Sequence, residues 1–349
     1  MKELGFNRDL RYRESAPGAE PKKKRLSAGA CIFALSAAAL LVFPMFGIWN
    51  YFNPPPDEAS PKKVEVPIGD EEWQGMVGGL KDAASAYRGN VGIYFKDLHT
   101  GKVWEYNSER LFPSASLIKV PIMAAAFEKI RLGEMTLDTQ VTLASHDRLG
   151  GSGSLKWARE GTRLSVLEII YRMITESDNT AANVLIKHMG IEFLQREFVR
   201  LGLVYTKINP EGLSLKSGRV ERENYTTARE MAGLLERIYA GRLIDKDSSA
   251  QMLDFLKHNK SRSRLRRGLP LGWEIGHKTG LLRKSCHDVG IVFSPRGDYI
   301  IAVLTSDVPD YSSAKKFIAK VAKLTYKYYK IDADYAFSRV EAGSAIRSI

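Results

Sequence analysis

The chain has 349 residues, 44% of them hydrophobic, with a formal net charge of +12 at pH 7. That apolar share supplies a real core for one large or two modest domains and excludes a disordered chain. The basic excess raises nucleic acid as a partner, but no aromatic-basic repeat or nucleic-acid fold signature accompanies it; an envelope setting with anionic lipids or wall polymers explains the charge as well.

The first 25 residues carry eight Lys or Arg against four Asp or Glu, ending in Lys22-Lys23-Lys24-Arg25, and no charge follows until Asp57. Ala28 to Trp49 gives 22 mostly apolar residues, and about 20 cross a bilayer core. Residues 28–50 are therefore expected to be an uncleaved transmembrane anchor. A cleaved signal peptide is the rival, disfavoured by the long basic region and by the poor cleavage site at Phe46-Gly47-Ile48-Trp49-Asn50. The basic tail, 1–27, is then cytoplasmic, and the chain after the span lies outside the cell membrane as a single-pass protein. A Pro-rich spacer, 51–70, separates span from domain. Cys31 falls in the span and Cys286 is alone beyond it, so no intrachain disulfide is expected; Cys286 reads as an ordinary strand-edge residue.

From Glu71 to Tyr87, apolar residues at helical spacing predict an amphipathic helix. Val91–Phe95 and Lys102–Tyr106 predict a hairpin about the turn Asp97-Leu98-His99-Thr100-Gly101. An apolar helix runs through Phe127. Residues 130 to 260 read mainly as helices, at 165–176, 181–189, 191–201 and 227–239. Strands are predicted at 273–278, 288–293 and 299–304, then a closing helix at 312–329. Strands at both ends with helices between imply an α/β (α+β) domain over 71–330: one antiparallel sheet whose first and last strands pair, flanked by helices, plus an all-α lobe. Residues 331–349 are a C-terminal tail.

Chemistry concentrates in three short segments. In Ser116-Leu117-Ile118-Lys119 the hydroxyl and amine stand three apart, about one helical turn, so the amine can serve as the base a serine nucleophile needs. The pattern alone is weak, since it recurs at Ser60/Lys63, Ser312/Lys315 and Ser313/Lys316. Its companions Ser177-Asp178-Asn179 and Lys278-Thr279-Gly280 each occur once. Singly, the first reads as a helix cap and the second as a strand end before a turn; together and in order they mark a site. No histidine sits in a nucleophile-elbow context, His277 and His287 have no obvious partner, and metal-ligand spacing is absent, so neither a Ser/His/Asp triad nor any metal or cofactor is proposed.

Ser-x-x-Lys, Ser-Asp-Asn and Lys-Thr-Gly in that order resemble the penicillin-recognising serine hydrolases, and Ser-Asp-Asn the class A β-lactamases in particular. The contexts Ser177-Asp178-Asn179-Thr180-Ala181-Ala182-Asn183 and Gly150-Gly151-Ser152-Gly153-Ser154-Leu155 look like the same family, and the resemblance covers residues 72 to 330. It implies a two-lobed fold with the site in the cleft and a monomeric serine hydrolase that opens β-lactams through an acyl-enzyme on Ser116. Lys119 would be base, the N–H groups of Ser116 and Leu281 would meet the oxyanion, and Ser177 would return a proton to the leaving nitrogen. Asn179 would bond the substrate side-chain amide and Lys119; Lys278 and Thr279 would hold a substrate carboxylate, and Gly280 would let substrate backbone approach. Asp178 shapes the loop, and Arg283 and Lys284 are candidates for a further carboxylate contact. Counting back from Thr226, Thr227 and Met231, the family's deacylating glutamate falls on Glu211, while its following asparagine falls on Leu215 and the loop's arginine-aspartate bracing is not evident. Glu211 stands either as general base or as a solvent-exposed loop acid. Without a base the same site is a penicillin-binding protein, acting on peptidoglycan peptides or signalling as a β-lactam sensor.

Overall fold

The computed structural model describes residues 68–215 and 220–331. The basic tail, the predicted span at 28–50, the spacer through Pro67 and the tail from Asp332 lie outside the described residues. Among the described residues no helix is long and apolar enough to cross a membrane.

Helix α1 (Asp70–Ser85) places Asp70, Glu71 and Glu72 in its first turn, where the helix dipole favours anions, and buries Trp73, Met76 and Leu80 along one face. The hairpin β1 (Asn90–Asp97) and β2 (Val103–Tyr106) is turned by the Asp97 carboxylate, which accepts from the N–H groups of His99 and Thr100. Strand β3 (Phe112–Pro113) enters a 3₁₀ turn, Ala115–Ile118, that runs straight into α2 (Lys119–Arg131). The predicted single helix is thus divided. Ser116 rides the tighter turn and Lys119 opens the α-helix, whose residues from Lys119 through Glu128 are all buried.

The next segment holds β4 (Gln140–Thr142), β5 (Arg163–Ser165), α3 (Val166–Thr175), α4 (Asn179–Met189), α5 (Ile191–Arg200), β6 (Tyr225–Thr226), α6 (Ala228–Tyr239) and α7 (Lys246–Lys257). Ser165, Asp178, Thr227 and Asp245 cap four of these helices, each side chain accepting an N–H three residues on. The lobe is not all-α, because β4 pairs with β5, and β6 pairs back with β3. Helix α7 is absent from the expected elements: its apolar face is only Met252, Phe255 and Leu256 around a buried Ser249.

Helix α8 (Leu265–Gly268) then precedes β7 (Glu274–Leu282), β8 (Ser285–Phe293), β9 (Tyr299–Ser306) and α9 (Tyr311–Tyr329). The main sheet is antiparallel with strand order β2-β1-β9-β8-β7, so the first and last strands pair as expected, from Asn90 opposite Ser306 to Asp97 opposite Tyr299. One face buries Ile93, Phe95, Ile301 and Val303 with α1 and α9; the other buries Val289, Ile291, Ile300 and Ala302 with the helical lobe. Covered on both faces, β9 from Tyr299 to Leu304 and β8 from Val289 to Phe293 run apolar at successive positions, while the first half of β8 buries the polar Ser285, His287 and Asp288. Cys286 is the second residue of β8, buried, and burial pushes its thiol pKa up.

Candidate active site

Ser116 and Lys119 line one cavity of about 620 Å³ with Asn179 and Leu281. The turn carrying Ser116 is pinned by the Ser114 N–H, which donates to Asn224 O at 2.6 Å, and by Ala115 in the left-handed region at φ 46°. Gly280 lets β7 lie against it: a Cβ there would come within 3.3 Å of both Ala115 Cβ and Ser114 O, and within 3.0 Å of His287. Close approach of the nucleophile turn is thus itself a reason for glycine at this position.

Lys119 Nζ donates to Ser177 O at 2.6 Å and Asn179 Oδ1 at 2.7 Å, with Ser177 Oγ at 3.5 Å. Burial lowers its pKa to about 7, against the Asp178 carboxylate, which pulls the other way. Among the described residues the Ser116 hydroxyl makes no hydrogen bond to Lys119. Such contacts often tighten only with substrate bound.

Ser177 adopts a left-handed backbone at φ 56°, a conformation costing roughly 1–2 kcal/mol for a non-glycine residue. Asp178 holds it there by capping α4 through Ala181 N at 2.9 Å and accepting from Leu155 N at 2.7 Å. Gly153 leaves room for this carboxyl, since a Cβ at its φ of +99° would fall 2.1 Å from it. Lys278 Nζ donates to Ser177 Oγ at 2.8 Å and to Thr279 O at 3.0 Å. Fully buried, and facing the Lys119 ammonium as well, it titrates well below a normal lysine. The Ser177 hydroxyl therefore lies between two depressed amines. Asn179 already gives Nδ2 to Gly150 O at 2.9 Å, and Thr279 is buried beside Lys278.

Glu211 begins a short 3₁₀ turn, Glu211–Leu213, and is exposed; it is not among the residues lining the cavity, which takes Gly212, Leu213 and Leu215 from this loop. The loop neck is closed by Asn224, which accepts from Asn209 N at 2.7 Å and donates to Asn209 O at 3.2 Å, a neutral clasp in place of an arginine-aspartate brace. Arg283 crosses to the same loop, 3.2 Å from Glu223 and bonded to Ser214 O at 2.5 Å; its side chain is only 7% exposed, which leaves little of it for a substrate carboxylate.

Both strand histidines have partners. His277 is 2.9 Å from Asp288 Oδ1, and His287 lies 2.7 Å from Pro113 O with its pKa pushed down to about 4 by burial. Among the described residues no cluster of His, Cys, Asp or Glu could hold a metal ion. From the expected Asn179 the cavity wall continues along α4 through Ala182, Asn183 and Ile186, to which the sequence reading gave no role. Their 3-4 spacing from Asn179 was the signal available.

A profile of the β-lactamase enzyme family matches residues 78–329. The chain belongs to that family. It is 25% identical over 299 residues to a β-lactamase of Bacillus licheniformis, covering 83% of this chain and 94% of the relative. In structure it is similar to a β-lactamase from Sphaerobacter thermophilus, with TM-score 0.68, 28% identity and 73% and 97% of the two chains covered. It is likewise similar to a PBP-A mutant solved as an acyl-enzyme with penicillin G, with TM-score 0.67, 27% identity and 77% and 98% covered. This β-lactamase-family domain therefore has a serine-hydrolase fold of the class A type, built from α and β elements, and its three motifs converge on one cleft.

Proposed function

We propose that the protein opens β-lactam rings by acylating Ser116. The observation that carries this reading is a buried Lys119 titrating at about 7, in the same cavity as Ser116 and bonded to Ser177 and Asn179. Neutral Lys119 takes the Ser116 proton as Oγ attacks the lactam carbonyl, and the N–H groups of Ser116 and Leu281 receive the oxyanion. The C–N bond then breaks, and the proton returns through Ser177 to the ring nitrogen. Lys278 orients that hydroxyl and, with Thr279, attracts the substrate carboxylate.

A second reading, a penicillin-binding protein with a long-lived acyl-enzyme, is favoured by the outward placement of Glu211. A chromogenic cephalosporin with intact-protein mass spectrometry separates the two: continuous turnover supports the hydrolase, and one stoichiometric burst with a persistent adduct supports the binder. Ser116→Ala abolishes both signals, and retention of either sinks the nucleophile assignment. Glu211→Gln leaves the steady-state rate within about twofold; a roughly 100-fold fall with trapped adduct instead makes Glu211 the deacylation base.

On sequence grounds we also propose a monomer anchored in the cell membrane by residues 28–50, with the hydrolase domain on the outer side. Release of the chain by alkaline extraction of membranes would argue against the anchor.

A further inference from the structure

Charge is unevenly placed along the chain: residues 262–330, the cleft's Lys278 included, hold fourteen Lys or Arg against five Asp or Glu. Helix α9 has no acidic residue, and its exposed Lys316, Lys320, Lys323 and Lys327 follow a 4-3-4 spacing that sets them in one stripe. Helix α8 lies tight against this helix, since a Cβ at Gly268 would meet Ala319 O at 2.1 Å, and α8 adds the exposed Arg267. The turn after α8 carries Leu271 at its tip, 88% exposed. The tip is held in place by Arg266, which donates to Leu271 O at 2.8 Å and Trp273 O at 2.7 Å. Trp273 in turn meets Tyr326 of α9 edge-on, ring centroids 5.2 Å apart.

An ordinary solvated helix face accounts for lysines alone. It does not account for an exposed leucine on a turn whose carbonyls an arginine holds, with a tryptophan two residues on packed against a tyrosine of the same helix that carries the row of cations. Apolar tip, amphipathic aromatics and basic stripe are together what an anionic bilayer surface binds.

We propose that this face docks on an anionic phospholipid bilayer. Leu271 enters the boundary between headgroups and acyl chains, Trp273 and Tyr326 sit at headgroup level, and the α9 lysines lie over lipid phosphates. The face belongs to the α1 and α9 side of the sheet, and none of these residues lines the Ser116 cavity, so the docked domain keeps its site open. The inference is independent of the predicted span and of the catalytic reading.

The test uses the full chain with Cys31→Ser and Leu271→Cys, an environment-sensitive NBD label at position 271, and vesicles of phosphatidylcholine with or without about one-third phosphatidylglycerol. Cys286 is buried. Expected are a several-fold rise and blue shift on anionic vesicles, no change on neutral ones, and silence of the same label at Trp157→Cys on the helical lobe, where the native side chain is 81% exposed. Lys323→Glu with Lys327→Glu weakens the response by more than about twentyfold, at about fivefold per lysine lost, and leaves cephalosporin reactivity unchanged. An equal response on neutral vesicles, a response at position 157, or insensitivity to charge reversal overturns the proposal. Binding of soluble polyphosphate with the label at 271 still in water overturns it too, replacing the lipid by a polyanion.

Discussion

Titrating the acylation step between about pH 5 and 9 examines Lys119 directly. Burial, partly offset by the Asp178 carboxylate, takes this amine from 10.5 to about 7, a net penalty of about 5 kcal/mol on the ammonium at 1.36 kcal/mol per unit. About a tenth of the enzyme then carries a neutral Lys119 one unit below that value and about nine-tenths one unit above it. The sign follows: the base is the neutral form, so kcat/KM for acylation rises about tenfold from pH 6 to pH 8. Lys119→Arg keeps a cation of similar reach to Ser177 and Asn179, but a guanidinium does not deprotonate in this range. The variant loses about 10²- to 10⁴-fold in acylation and its acid limb disappears. Stopped-flow acylation by a chromogenic cephalosporin measures both. A wild-type profile flat across this range, or a limb retained in Lys119→Arg, refutes Lys119 as the base.

The brace between strand and loop gives a second expectation. Arg283 and Glu223 are 7% and 9% exposed, and removing one partner of so buried a pair costs roughly 3–5 kcal/mol. Arg283→Ala and Glu223→Ala each lower the urea midpoint, and the double variant loses much less than the sum; strict additivity would show that the two charges do not interact. His287 gives a third. Its folded pKa of about 4 lies below the usual 6.5, so the unfolded chain binds the extra proton first. Stability is therefore full above 6.5 and falls as pH drops toward 4, by about 3 kcal/mol. Urea unfolding across that window measures the slope, which His287→Gln removes; an unchanged slope in the variant assigns it to other groups.

How much of this was legible beforehand depended on whether the deciding force was local. Ser-x-x-Lys, Ser-Asp-Asn and Lys-Thr-Gly are local patterns, and their order pointed to one cleft before any contact was known. The end-to-end sheet followed from strand periodicity at both ends. Helix α7 did not, because its burial against β7 is tertiary and its own composition is polar. Glu211 shows the same limit at one residue: counting along the chain gives a position but not the direction in which a loop turns its side chain. Arg283 is similar, since the carboxylate that claims it, Glu223, is 60 residues away in sequence. The helix starts were better determined, because Ser165 and Thr227 act through bonds within their own turn.

The pairing of β1 with β9 makes the sheet a closure that awaits the end of the chain. Residues 90–97 have their central partner only once residues 299–306 have been made, so a ribosome-bound or prematurely terminated product holds a two-stranded ribbon with an unpaired apolar edge. Short hairpins of that kind are marginal in water. A stop codon well beyond every catalytic motif would accordingly yield an aggregating fragment rather than a weakened enzyme.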